Sequence, residues 1–327
     1  MRIALDAMGG EHAPRAVVKG AVEACRHHYG GIVLVGKEDA IRAELAKHHL
    51  KDPPISIVNA NEVVEPDEHP TQSIRHKPDS SIVVGMHLLK KGEVSAFVSA
   101  GNSGAVMAAA LLILGRIEGV ERPALSHFYS TPWHSVLLLD VGANADCKPS
   151  FLVQFAQMGC VYMEKVFGVE RPRVGLLSSG EEENKGNQLV RESHKLLKGT
   201  NLNFVGNVEG NDIANGVADV LVTDGFTGNV MLKTGEGLGE MVLRSLKQAS
   251  AKRPHLKISA FLLGSALRTV LSGLDYAEHG GAALLGVNGN VVIAHGRSDA
   301  RAIKNAIFIA KQAAERGALE AMRLGIK

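Results

Sequence analysis

Short runs of aliphatic and β-branched residues alternate along this chain with longer stretches whose apolar positions recur every three or four residues. Residues 2–7 read as a buried strand stopping at Met8-Gly9-Gly10, and 14–26, opened by the first-turn residue Pro14, read as a helix. Strands at 32–35 and Ile55–Asn59 then flank a helix over 38–49. Residues 62–79 are polar and carry Pro66, Pro70 and Pro78, the pattern of a long loop or broken helix. Residues 81–91 are helical in pattern. Ala96–Ser99 is a strand that turns through Ala100-Gly101-Asn102-Ser103-Gly104 into an apolar helix over 105–114.

Two strands, Ala124–Ser130 and 135–141, follow in immediate succession across Thr131-Pro132-Trp133, which predicts an antiparallel pair. Gly142-Ala143-Asn144 precedes a helix over 150–167. Arg173–Leu177 is a strand ending in Ser178-Ser179-Gly180, residues 187–197 a helix, and Asn203–Val208 and 217–223 further strands. Asp224-Gly225-Phe226-Thr227-Gly228-Asn229 opens a long helix to about residue 248. A final helix runs from Ser298, a good N-cap, to about residue 323. Strand alternating with helix predicts α/β layers with a mostly parallel sheet. No low-complexity linker or solenoid-period repeat divides the chain, so 1–327 is expected to be a single α/β unit, two lobes being its one variant.

Composition narrows the function classes. Among 327 residues, 36 Lys+Arg face 34 Asp+Glu for a net charge of +2, and aromatics make up 4%. A nucleic-acid binder would show a basic stripe or stacking platforms. Cys25, Cys147 and Cys160 lie far apart with no CxxC, which fits a reducing cytoplasm. Met1 to Asp6 meets an acid and glycines before any signal-type stretch forms, and the longest apolar run, 105–114, is too short to span a bilayer. The 36 glycines are aperiodic, which points to tight turns and close backbone approach.

Five strand ends carry such turns into helices: Gly9-Gly10, 101–104, 142–144, 178–180 and 225–229. In an open parallel sheet, ligands gather at these carboxyl ends, and free amides there favour an anion. The standard nucleotide fingerprints are absent. Gly235-Glu-Gly237-Leu-Gly239 lies within a helical pattern, and 180–186 reverses the Gly-Lys order of a P-loop. No GxSxG or HExxH occurs, and His27-His28 and His48-His49 read as solvated surface pairs. No metal or cofactor site is expected. Ser103 reads as a helix cap, Asp224 as an Asx-turn residue, Lys185 as part of a solvated charge run, and His295 as a structural histidine when taken alone. Asp6, ending a buried strand, needs a partner.

A second feature is amphipathic. Within 254–278, preceding a last strand, Leu263, Leu267, Val270, Leu271 and Leu274 fall on one helical face, with Arg244, Lys247, Lys252, Arg253, His255 and Lys257 upstream. The face suits a core or dimer contact, an anionic lipid surface, or the docking of an acidic carrier protein.

Taken together, Asp6-Ala-Met-Gly-Gly10, Ser99-Ala-Gly-Asn-Ser-Gly-Ala105, Asp140-Val-Gly-Ala-Asn144, Gly180-Glu-Glu through Lys185-Gly186, Asp224-Gly-Phe-Thr-Gly-Asn229, Gly280-Gly-Ala-Ala-Leu-Leu-Gly-Val287 and His295-Gly-Arg-Ser298 resemble, in order, the PlsX-type phosphate acyltransferases of bacterial phospholipid synthesis. Departures are Glu11 for Asp, Ser103 for Thr, and Ser178-Ser179 for Asn-Ile. The resemblance implies an isocitrate/isopropylmalate-dehydrogenase-like three-layer α/β/α fold with a largely parallel mixed sheet, and a homodimer. It implies transfer of a long-chain fatty acyl group from acyl carrier protein to inorganic phosphate. The acyl phosphate would feed a membrane glycerol-3-phosphate acyltransferase, with peripheral attachment to the membrane.

Phosphate is largely dianionic near neutrality and a thioester is already activated, so positioning and oxyanion stabilisation suffice and no nucleophile triad is needed. Expected phosphate contacts are Gly9, Gly10, Asn102, Ser103, Gly104 and Asp224, with Lys185 supplying charge. Asn229 and Asn144 are the expected donors to phosphate or oxyanion, and His295 orients or protonates a group. Competing readings are a coenzyme A-dependent phosphotransacetylase, a decarboxylating dehydrogenase, and a non-catalytic acyl-binding protein.

Overall fold

The computed structural model describes residues 1–48, 53–130, 134–252 and 280–326. The first half is built from β1 (Arg2–Asp6), α1 (Arg15–Arg26), β2 (Gly31–Gly36), α2 (Glu38–Leu45), β3 (Ile55–Asn59), α3 (Pro70–His76), α4 (Ser81–Lys90), β4 (Ala96–Ser99) and α5 (Ser103–Ala109). The second contains β5 (Ala124–Ser130), β6 (Ser135–Leu139), α6 (Pro149–Tyr162), β7 (Arg173–Leu177), α7 (Gln188–Lys198), β8 (Asn203–Val208), β9 (Val220–Val222) and α8 (Gly225–Lys252). Then come β10 (Ala282–Leu285), β11 (Asn290–Ile293), α9 (Ala300–Glu315) and α10 (Ala318–Gly325).

All the strands join one eleven-stranded sheet in the order β3-β2-β1-β4-β11-β10-β5-β6-β9-β7-β8. Inner strands such as β1 and β6 are apolar on both sides because both faces are covered. In β1, Ile3 and Leu5 pack with α1 and α9 while Ala4 faces the α4–α5 layer. In β6, Leu137 and Leu139 face α6 while Val136 and Leu138 join a cluster with Met231 and Leu232 of α8. Periodicity therefore gave these strands as continuous hydrophobic runs.

Strand direction reverses across the sheet. β3, β2, β1, β4 and β11 are parallel, β10 opposes β11, β5 opposes β10, β6 opposes β5, and β9, β7 and β8 follow β6. The expected antiparallel pair is β5–β6, with Ser126 opposite Leu139 and Ser130 opposite Ser135. This reversal corrects the picture of five glycine turns on one edge. The turns after β1 and β4 leave one edge, and those after β6, β7 and β9 leave the other.

Other expectations shift locally. The last strand expected after the 254–278 segment is a pair, β10 and β11, each only four residues long. Residues 62–79 contain the short helix α3, with Pro70 in its first turn. The helix cap at 102–103 is Asn102, whose side chain accepts from the Ala105 amide, rather than Ser103. Likewise Asp299, accepting from Ala302 N–H, caps α9 in place of Ser298, whose own amide is bound in a turn to the His295 carbonyl. The predicted final helix breaks at Gly317, where φ is +66° and glycine relieves the left-handed strain.

No helix among the described residues is long and apolar enough to cross a membrane. Residues 254–278, with Leu263, Leu267, Val270 and Leu271, lie outside the described residues. The three cysteines are free, and burial pushes the thiols up, Cys25 to about 11 and Cys147 and Cys160 to about 12.

Helix α1 approaches α9 closely because Gly20 has no side chain: a Cβ there would stand 2.7 Å from Ile303. Gly20→Ala is expected to cost about 1–3 kcal/mol as overpacking and to lower the urea midpoint. Gly237→Ala in α8, with nothing within 4 Å of the added Cβ, should instead leave the midpoint unchanged or raise it by up to about 1 kcal/mol of helix propensity.

Candidate active site

Two buried carboxylates shape the turns. Asp6, at the end of β1, accepts the Ser99 hydroxyl at 2.6 Å and the Met8 amide at 3.0 Å, and Ser99 Oγ in turn accepts from Gly101 N–H at 3.0 Å. Burial pushes the Asp6 carboxyl above its usual range, against the pull of the Ser81 and Ser99 hydroxyls. A side chain on Gly9 would collide with the Asp6 carboxylate and would stand 2.6 Å from the Gly101 nitrogen. Glu11 N–H donates to the Gly296 carbonyl at 2.8 Å. The turns after β1, β4 and β11 thus lie backbone against backbone, and Gly9 and Gly10 serve that packing.

Asp140, just beyond β6, is fully buried and receives five N–H donors: the amides of Leu125, Gly142, Ala143 and Asn144, and the Asn144 side chain. Burial raises its pKa while these donors act in the opposite sense. The loop also grips the start of α8. Gly225 N–H donates to the Asn144 carbonyl at 2.8 Å, and a Cβ on Gly228 would run into the Asp140 carbonyl oxygen. Asn144 Nδ2 reaches Asp140 at 2.9 Å and the Pro123 carbonyl at 2.8 Å, so both its amide protons brace the loop. Asp224 caps α8, accepting from the Thr227 amide and hydroxyl, each at 2.8 Å. Asn102 Nδ2 donates to the carbonyls of residues 65, 66 and 68, bracing the loop before α3.

Between α5 and α8, over the middle strands, lies a cleft of about 240 Å³. Ser103, His127, Asn229, Lys233, Glu236 and His295 give it a polar side, and Met107, Leu125, Val141, Leu232 and Ile293 an apolar one. Residues from both edges of the sheet meet here, Ser103 and His295 from the first and Gly142 and Asn229 from the second. Lys233 Nζ stands 2.9 Å from Glu236 Oε2 and 3.4 Å from His295 Nε2. Arg297 N–H donates to His295 Nδ1 at 3.1 Å, so in the neutral ring Nε2 carries the proton, and the 3.4 Å approach of Lys233 Nζ sets two donors side by side rather than forming a hydrogen bond. Burial, followed by the Lys233 charge, holds the His295 pKa below its ordinary value, while Glu236 works in the other direction. The Asn229 amide makes no hydrogen bond to any described residue and faces the cleft.

Of the sequence candidates, the cleft gathers Ser103, Asn229 and His295. Gly9, Gly10, Asn102, Gly104, Asn144 and Asp224 stand behind it in the turns. Lys185 is exposed on the loop between β7 and α7 and is not part of the lining. The cation in the cleft belongs to Lys233, which sequence reasoning missed together with Glu236 and His127. The signal was available: Asn229, Lys233 and Glu236 are spaced i, i+4, i+7 on α8, one helix face.

The family model described as fatty acid synthesis protein matches residues 1–321. The chain is 50% identical over 320 residues to the phosphate acyltransferase of Dehalococcoides mccartyi, covering 97% of this chain and 92% of that protein. It is 49% identical over 327 residues to the phosphate acyltransferase of Pelotomaculum thermopropionicum, covering 100% and 95%. In fold it is similar to a phosphotransacetylase from Streptococcus pyogenes, with a TM-score of 0.65 at 19% identity over 96% of this chain and 94% of that one. A putative 4-hydroxythreonine-4-phosphate dehydrogenase from Salmonella typhimurium gives 0.58 at 12% identity, covering 95% and 98%. Both share the mixed, mostly parallel sheet with helices on each side.

The charges around His295 predict two opposite shifts. Removing the neighbouring cation in Lys233→Met should move the ring's NMR titration midpoint up. Removing the carboxylate in Glu236→Gln should move it down. Unchanged midpoints in both variants would show that neither side chain faces the ring in solution.

Proposed function

The chain belongs to the phosphate acyltransferase family of fatty acid synthesis proteins, and from that premise we propose that it transfers a long-chain fatty acyl group from acyl carrier protein to inorganic phosphate. The observation that carries the proposal is a single cleft with a cationic, donor-rich corner at Lys233, His295 and Asn229 beside an apolar wall of Met107, Leu125 and Leu232. The corner suits phosphate and the wall suits the acyl chain.

In the proposed reaction a phosphate oxygen attacks the thioester carbonyl directly. A C–O bond forms, the tetrahedral oxyanion collapses, the C–S bond breaks, and the carrier protein leaves as its thiolate. Lys233 and the Nε2–H of His295 hold phosphate in place, and the uncommitted Asn229 amide donates to the oxyanion. Such donors act most strongly where water is excluded. Lys185, on a loop leaving the same sheet edge as Gly142 and Asp224, adds charge to incoming phosphate. The backbone near Gly9, Gly10 and Gly104 holds Ser103 and His295 in register. A homodimer, and a membrane or carrier-protein contact through residues 254–278, belong to the same proposal.

Incubation with long-chain acyl carrier protein and phosphate, followed by hydroxylamine, should yield fatty hydroxamate. No product above the minus-phosphate control would refute the reading, and comparable turnover with acetyl-coenzyme A would replace it with a phosphotransacetylase activity. Lys233→Ala should raise the phosphate KM by about 10- to 100-fold, the ~1.5–3 kcal/mol of a charged hydrogen bond, with the carrier-protein KM little changed. The same measurement on Lys185→Ala tests its separate contribution, expected again on phosphate far more than on carrier protein.

A further inference from the structure

The corner that we assign to phosphate contains an acceptor as well as donors. Lys233 Nζ and His295 Nε2–H are donors, and the Glu236 carboxylate stands beside them with its side chain only 18% exposed. A site built for an anion in general would hold donors alone, because a carboxylate repels any second anion. Glu236 therefore needs an explanation beyond charge.

Proton inventory supplies one. Near neutrality both forms of inorganic phosphate carry at least one P–OH, whereas sulfate, of similar size and shape, carries none. Glu236 uses Oε2 for Lys233 and makes no other hydrogen bond to described residues, which leaves Oε1 for a further donor. A protonated phosphate can give its hydroxyl to Oε1 while its bare oxygens accept from Lys233 and His295. Sulfate in the same place would set an oxygen against a carboxylate in a partly desolvated site. A site that hydrogen-bonds a substrate OH strongly disfavours the analogue without it.

We propose that Glu236 is a specificity-determining residue that admits phosphate and refuses sulfate by accepting the acid's hydroxyl proton. The proposal rests on the phosphate-acceptor reading above. A simple intrahelical ion pair between Lys233 and Glu236 would not separate the two oxyanions.

The test is the ratio of the sulfate inhibition constant to the phosphate KM, read from release of the carrier-protein thiol. Wild type should show a ratio of at least about 100, and Glu236→Gln should narrow it at least tenfold, since the new amide can donate to sulfate. Arsenate keeps its As–OH, so arsenate-dependent thiol release should still track phosphate in wild type. Thermal stabilisation by sodium sulfate and by potassium phosphate gives the same ratio without turnover, should the variant be inactive. A ratio in Glu236→Gln within about twofold of wild type overturns this inference while leaving the acyl transfer standing. Absence of phosphate-dependent thiol release from the wild-type protein overturns the functional reading itself.

Discussion

A carboxylate removed from water is tolerated only where donors converge on it, and the arrangement around Asp140 follows from that requirement. To place five N–H groups on one side chain, the chain after β6 must curl through Gly142, Ala143 and Asn144 around the carboxylate. The curled loop then docks on the first turn of α8, where Gly225 and Gly228 leave room for it. Asn229 and Lys233 inherit their positions from this contact. Asp6 does the same for the other half, joining the turns after β1 and β4 through Ser99 and Gly101, while the Glu11 amide ties the turn after β11 to them. Neither carboxylate lines the cleft, yet both decide what does.

The reversal of strand direction explains how two separately organised halves make one site. Had all eleven strands been parallel, the glycine turns would share an edge and the middle of the sheet would lie under helices. Because β10 and β5 each run against both of their neighbours, the two flanking parallel blocks point in opposite directions, the two sets of turns approach from opposite ends, and α5 and α8 face each other across the middle strands. The resulting space is charged where α8 and His295, two residues beyond β11, meet, and apolar where α5 and β5 meet.

Much of the fold was legible because strands buried on both faces leave unbroken apolar runs. β1, β2, β4 and β7 could be marked this way, and the β5–β6 pair announced itself by having no room for a helix between its strands. What local pattern could not supply was any choice settled by a distant partner. Asn102 rather than Ser103 caps α5 because its amide also braces the carbonyls of residues 65–68. Asn144 has the chemistry of an oxyanion donor, but Asp140 and Pro123 claim its protons. His295 was visible as a candidate through the family motif, whereas Lys233 and Glu236, in an ordinary helical stretch, acquire meaning only from the ring 62 positions away. β10 and β11 were hard to delimit because four-residue runs between glycines carry little periodicity.

The placing of β11 sets an order of events during synthesis. This strand, from near the C-terminal end, fills the space between β4 and β10, and α9 covers the face of β1 and β4 that α1 leaves open. A nascent chain that has passed residue 252 already holds nine of the eleven strands, yet β4 still presents a bare edge and Ile3, Leu5 and Val98 lack the aliphatic cover of Ile303 and Ile307. Such an edge invites pairing with other chains. Ribosome-bound intermediates of this protein are thus obvious clients for a chaperone until the roughly three dozen residues from β11 to α10 emerge.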